Sequence, residues 1–323
     1  YTTLFRSCNI GIETMSRAAM RQLQKERLQK IVKWAHEKSS FYRAQWKNIN
    51  VEDIQSLDDI KKLPFTTKDD LIANAPFGML AMPMSEIVRL HMIGEGKKTI
   101  ARAYTAGDLE RATEMTTRAL VAGGVDISSI IQICSGHLTA DVLGLQHAAE
   151  VLGATVVSVP TGKLEEQLDV INKLHVSTLI SDPQHILQLV VAAQALDYDL
   201  QSMSVKTIFL SHNGIKSNMA AHIASRIGGR VFNLYSIPEL FTPGIACACN
   251  AKKGYHIQED YFYPEVVSLA DGQVIRDGRM GELVLTSLIS EAMPIIRYRT
   301  GVLVTLDHEK CSCGRTLARI HVP

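Results

Sequence analysis

Five short apolar runs decide the fold: Ile127-Ser128-Ser129-Ile130-Ile131-Gln132-Ile133-Cys134, Thr155-Val156-Val157-Ser158-Val159-Pro160, Ser177-Thr178-Leu179-Ile180-Ser181, Val205-Lys206-Thr207-Ile208-Phe209-Leu210-Ser211, and Arg230-Val231-Phe232-Asn233-Leu234-Tyr235. Each is five to eight residues long, and their Ile, Val, Phe and Thr content suits strands. Between them lie 139–152, Leu164–Leu174, Pro183–Ala195 and Ser217–Ile227, with apolar residues at helical spacing. The first of these ends at Gly153 and the last at Gly228-Gly229, residues that stop helices. Strands that point the same way need a long crossover, which a helix supplies. The alternation therefore predicts an α/β protein with a doubly wound, mainly parallel sheet. Ligands of such sheets gather at the carboxyl ends of the strands, here Ser135–His137, Ser211–Gly214 and Tyr235–Glu239.

Toward the N-terminus, residues 16–38 read as one long amphipathic helix capped by Ser16, with Met20, Leu23, Leu28, Ile31, Val32 and Ala35 on its apolar face. Ser39–Trp46 interrupts it, and Pro64 marks a turn before a short helix near Asp69. Beyond Pro243 the texture changes. Tyr255–Leu269, Glu282–Ser287 and Val302–Leu306 are β-like runs separated by Gly and Asp turns, which predicts a smaller antiparallel β lobe. The expected division is 1–242 for the N-terminal helices and α/β core, and 243–323 for the β lobe.

The 34 Lys and Arg residues nearly cancel 33 Asp and Glu. No broad field directs the protein to nucleic acid or an anionic membrane, and small molecules are the expected ligands. No stretch reaches the ~20 apolar residues of a spanning helix, and no secretory leader is recognisable. The six cysteines are unevenly placed: Cys8 and Cys134 stand alone, while Cys247 and Cys249 form one C-x-C and Cys311 and Cys313 another. Close pairs near a histidine suggest metal in a reducing compartment, so a cytoplasmic location is expected.

Six segments, in order, resemble the phenylacetate–CoA ligase family of adenylate-forming enzymes, the acyl-CoA synthetase superfamily. They are Ile12–Arg17, Leu63–Leu71, Gly254–Asp260, Gly281–Thr286, Glu291–Gly301 and Cys311–Thr316. The resemblance covers essentially the whole chain. It implies the large N-terminal part of an acyl- or aryl-CoA ligase, which joins a carboxylate to AMP from ATP and magnesium and then passes the acyl group to coenzyme A. The family continues past the last segment into a mobile C-terminal domain with a catalytic lysine, which lies beyond Pro323 and is expected to be absent from this chain.

The resemblance also assigns residues. A phosphate loop falls on His91–Thr99, leaving Gly94, Gly96 and Lys97 as its parts, since backbone N–H groups and a lysine cradle phosphates. The family's hydroxyl run is missing there, and Glu95 brings a negative charge. Tyr235 would stack on adenine and Glu239 would hold Mg²⁺, with Pro238 where the family has a hydroxyl residue. The family's ribose-binding aspartate corresponds to Val302, which accepts no hydrogen bond. Ser211-His212-Asn213-Gly214 replaces a Gly-Ala-Glu-Pro-like run. These changes predict a degenerate ATP site. They leave two expectations: a ligase with diverged ATP motifs, or a lapsed or repurposed homologue that binds an acyl or aromatic metabolite, or a protein partner, without ATP.

Thiolates and imidazole suit tetrahedral Zn²⁺, and Cys₃His is a common closed structural set. The resemblance extends such a site to Cys249, His256, Cys311 and Cys313. Cys247 is an alternative to Cys249, and reduced cysteines packed as small hydrophobes are the alternative to metal. His212, at a strand's carboxyl end, is the candidate for redirected acid–base catalysis. His137 is expected at a cap or surface, and Cys134 in packing. Arg297 and Arg299 are expected to pair with carboxylates. A small carboxylate or acyl thioester, and a homodimer or protein partner, complete the expectations.

Overall fold

The computed structural model describes residues 8–134, 140–159, 163–211, 217–275 and 278–323. The chain divides into two compact units, one built mainly from 112–237 and 241–256, the other from 10–111, 238–240 and 257–323.

The first unit holds the predicted α/β core. Its strands β3 (Ile130–Cys134), β4 (Thr155–Ser158), β5 (Thr178–Ser181), β6 (Thr207–Ser211) and β7 (Arg230–Ile237) are parallel, in the order β4-β3-β5-β6-β7. Strand β8 (Phe241–Ala248) closes this set antiparallel to β7. The crossovers are α6 (Ala140–Leu152), α7 (Leu164–Lys173), α8 (Pro183–Ala195) and α9 (Ser217–Ile227), preceded by α5 (Ala106–Gly123). Alternate strand residues serve opposite faces. Ile131, Ile180, Phe209 and Phe232 pack with Leu120 of α5 and Leu145 of α6. Leu179, Ile208 and Leu210 pack with residues of α7, α8 and α9 instead. Covering both faces explains why the strands read as unbroken apolar runs. Gly123 ends α5 because a Cβ there would lie 2.3 Å from Phe209 Cζ. The chain runs from β3 toward one edge and from β5 toward the other, so the topological switch lies at the carboxyl ends of β3 and β5.

The second unit combines the N-terminal helices α1 (Ile10–Glu13), α2 (Arg17–Lys38), α3 (Ser40–Gln45) and α4 (Lys68–Ala73) with the antiparallel hairpin β1 (Arg89–Ile93) and β2 (Ile100–Tyr104). It also contains the antiparallel series β10 (Phe262–Val267), β11 (Gly281–Ser287), β12 (Tyr298–Asp307) and β13 (Arg319–His321), while the short β9 (Tyr255–Ile257) follows β8. The division cuts across the expected boundary at 242/243, which falls inside β8. The physical reason lies on α2. Arg17 pairs with Glu259 at 2.7 Å, and Gln24 donates to the Glu259 carbonyl at 2.9 Å. The first helices are thereby tied to a segment more than 200 residues away in sequence.

Ser16 caps α2 as expected, accepting from the Ala19 N–H at 3.2 Å. Met20, Leu28, Ile31, Val32 and Ala35 are buried; Gln24 is buried too, its amide used on Glu259, while Leu23 is only half-buried. The break at Ser39 leads directly into α3, whose Tyr42 and the following Trp46 are fully buried. Tyr42 Oη lies 3.2 Å from Thr66 Oγ1 and accepts the Ile296 N–H at 2.8 Å. Burial pushes its phenol up to about 12. Among the described residues, no helix is long and apolar enough to cross a membrane.

Candidate functional site

The segment expected to cradle phosphate is the connection of the β1–β2 hairpin. Gly94 has φ +96°, and a Cβ there would lie 2.5 Å from the Lys98 carbonyl oxygen, so only glycine fits. Gly96 also has positive φ. The turn closes on itself. The Lys98 N–H donates to the Glu95 carbonyl at 3.1 Å, and the Thr99 hydroxyl donates to the Gly96 carbonyl at 2.7 Å. Two donors that a phosphate would use are thus engaged within the turn, and the Glu95 side chain is exposed beside them. The Lys97 side chain lies outside the described residues, as do His137 and His212.

Tyr235 is not in a loop: β7 continues through it to Ile237. Its ring is fully buried and stacked on Tyr255 with centroids 6.0 Å apart. Burial pushes its hydroxyl up to about 12, and that hydroxyl has no hydrogen-bond partner among the described residues. One ring face is therefore already covered by protein.

Pro238–Leu240 turn the chain from β7 into β8. Glu239 there is nearly buried and ion-paired with Lys68 Nζ at 3.0 Å. It also shares a hydrogen bond with the Tyr298 side chain, whose phenol is pushed up by burial and by this carboxylate. Lys68 enters at the first position of α4, set by a capping box in which Thr67 and Asp70 bond reciprocally. Sequence reasoning missed Lys68 and Tyr298 as partners of Glu239, although both lie in segments quoted for the resemblance. Val302 lies half-buried in β12, its N–H directed to Thr300 Oγ1 at 3.2 Å. Its side chain offers nothing to a ribose hydroxyl.

The four expected metal ligands come together. Cys249, His256, Cys311 and Cys313 are all buried, and their ligand atoms lie within 4.8 Å of one another. Tetrahedral zinc with Zn–S bonds of ~2.3 Å would separate sulfurs by ~3.8 Å, so a small contraction completes the geometry. Three thiols and one imidazole fit zinc and leave no open position. Cys247 packs in the α/β core with Phe232 and Leu234 instead. The Cys311–Thr316 knuckle is shaped by its own backbone: Gly314 N–H donates to the Cys311 carbonyl and Cys311 N–H to the Arg315 carbonyl, both at 3.0 Å. Arg315 reaches Cys313 Sγ at 3.8 Å and also bonds Glu13, forming an ion pair buried at both ends.

Other segments quoted for the resemblance interlock similarly. Arg297 adopts φ +50° and grips the Glu265 carboxylate with Nε and Nη2 at 3.1 and 2.9 Å. It donates to the Leu63 carbonyl at 2.7 Å and lies 4.1 Å over the Phe65 ring. Arg299 pairs with Glu282. Both arginines therefore do as expected. Cys134 is buried at the end of β3, and burial raises its thiol to about 11, which keeps it protonated and poorly nucleophilic.

No family model matches the chain. The phenylacetate-coenzyme A ligase of Thermus thermophilus is 33% identical over 315 residues, which cover 96% of this chain and 71% of that protein. The phenylacetate-coenzyme A ligase of Aromatoleum evansii is 35% identical over 315 residues, with the same coverage. Among solved structures, the open conformation of a 2-hydroxyisobutyryl-CoA ligase in complex with 2-HIB-AMP and CoA superposes with a TM-score of 0.89. The match covers 95% of this chain and 70% of that one at 22% identity, a likeness of fold.

Proposed function

The chain belongs to the phenylacetate–coenzyme A ligase family, and from that premise we propose that it serves acyl- or aryl-CoA ligase chemistry with a weakened nucleotide site. The substrate class is a small carboxylic acid, activated as its acyl-adenylate and passed to the thiol of coenzyme A. Relatives that match over 96% of the chain support the ligase class.

The observation that carries the weakened nucleotide site is the self-closed turn at 94–99. Its Lys98 N–H and Thr99 hydroxyl are engaged with its own carbonyls. The Glu95 carboxylate adds repulsion of ~4 kcal/mol per unit of like charge at ~4 Å and an effective dielectric of ~20. Val302 leaves the ribose hydroxyls without an acceptor, at ~1–3 kcal/mol for each one buried. Mg²⁺ at Glu239 requires Lys68 to swing aside. With its side chain 55% exposed, Lys68 gives up only ~0–1 kcal/mol in doing so. Cys249, His256, Cys311 and Cys313 would hold a structural Zn²⁺, a role supported by their burial and mutual closeness.

The same Val302 and turn favour one further reading, a homologue that keeps the fold without using ATP. Calorimetric titration with ATP·Mg²⁺ and with AMP separates the two. The ligase reading expects weak but saturable binding at ~1 mM, tightened at least tenfold (~1.4 kcal/mol) by Val302→Asp. Absence of binding in both proteins at ten times that concentration would eliminate it and leave the ATP-independent reading.

A further inference from the structure

A cavity of about 430 Å³ opens in the second unit between the first turns of α2, the segment Leu57–Lys61 and strand β10. None of the nucleotide, carboxylate-activation or metal residues named above lines it. Its size falls at the lower end of the ~300–1,000 Å³ typical of small-molecule sites. The apolar floor comes from Leu57, Ile60, Val266, Ile275 and Leu306.

Charged groups at the cavity are unequally compensated. Glu259 is held by Arg17 at 2.7 Å and accepts the Ala318 N–H. Glu265 is held by Arg297. Both carboxylates thus already have a cation partner, Arg17 itself being part of the cavity lining. Arg21 and Lys61, at the rim, have no ion-pair partner among the described residues, and neither does Asp58. His308 also lines the rim. Arg21 and Lys61 against Asp58 leave one positive charge among these three side chains. The Tyr263 hydroxyl also lines the cavity and has no hydrogen-bond partner among the described residues. Burial and the surrounding carboxylates push it up to about 12, so it remains a neutral donor.

We infer that this cavity is a second ligand site, taking a small monocarboxylic acid whose compact apolar body lies on the Leu57–Leu306 floor and whose carboxylate meets Arg21, Lys61 and the Tyr263 hydroxyl. A dianion is disfavoured, because its second charge has no uncompensated cation and faces Asp58, Glu259 and Glu265 at close range. A neutral body of the same shape gains only the floor and leaves the two cations unpaired. The site is independent of the ATP question and of the ligase reading.

The test is fluorine NMR titration of the intact protein with 4-fluorobenzoate, 4-fluorobenzamide and inorganic phosphate. A carboxylate-activating site would also take the benzoate, so the readout is the binding component lost on substitution at the cavity. Arg21→Ala with Lys61→Ala is expected to weaken that component at least tenfold, and Ile275→Trp, which fills the floor, to abolish it. Arg21→Lys should restore most of the affinity in a Lys61-intact protein. Since Arg21 and Lys61 are exposed, their variants should melt as the parent does. Unchanged benzoate binding in both the double variant and Ile275→Trp would overturn the inference. So would 4-fluorobenzamide binding as tightly at this component, or phosphate displacing benzoate there at lower concentration.

Discussion

Two sets of residues in the second unit are built on different terms. The pairs Glu13–Arg315, Arg17–Glu259 and Glu265–Arg297 join segments quoted for the resemblance to one another or to a nearby strand, each through a buried carboxylate. The turn at 94–99, Pro238 and Val302 belong to the same unit and are the positions where the sequence is expected to depart from the family pattern, and Gly94, Glu95 and Gly96 of the turn are exposed. The difference follows from burial. Removing one partner of a buried ion pair strands a charge in a poor dielectric, so such a pair cannot change one residue at a time. An exposed hairpin turn bonds to itself and tolerates substitution without any cost to the fold. A region can therefore advertise the family loudly while contributing only scaffold, and the chemistry can drift where the scaffold is indifferent.

The strongest way to break this contrast is at the Cys₃His cluster. Cys311→Ser with Cys313→Ser should eliminate bound zinc, measured by elemental analysis. The melting transition should fall by more than a broken ion pair would cause, because structural metal binding is folding free energy. Cys247→Ser should leave zinc content unchanged. Acidification should release the metal as its ligands take up protons. Next in size, Glu265→Gln should lower the free energy of unfolding in guanidinium by ~3–5 kcal/mol, since Arg297 would be left buried and uncompensated. Gly123→Ala in the other unit should cost ~1–3 kcal/mol through the clash with Phe209. The smallest effect sharpens the comparison from the other side. Lys68→Ala should change stability by less than ~1 kcal/mol, because that lysine is largely exposed, while freeing Glu239 for a cation. Stronger Mn²⁺ binding by Lys68→Ala, followed by paramagnetic relaxation, would check this; no change would remove Glu239 from the metal-binding candidates.

Much of the α/β core was legible because its cause is local. The runs that form β3, β5, β6 and β7 can bury both faces only as central strands, while the Thr155–Ser158 run forms the half-exposed edge strand β4, and each appears within a few residues of its expected bounds. Strand ends were less legible. The fifth run reads as ending at Tyr235, but pairing with β8 extends β7 to Ile237, and a partner strand cannot be seen from the run itself. Gln24, a polar residue, is buried among the apolar residues of α2 because the Glu259 carbonyl accepts its amide. The Lys68–Glu239 pair joins residues 171 positions apart, and neither side's local pattern points to the other.

The sequence by itself determined the α/β class and the family, because apolar runs that suit buried strands, and segments that keep their order, are properties of residues in sequence. Only the tertiary structure decided which cysteine joins the cluster, that the first helices belong with the last strands, and that the glycine-rich turn spends donors on itself. Those outcomes depend on contacts between distant segments and on where a backbone N–H points, neither of which is written in spacing along a chain.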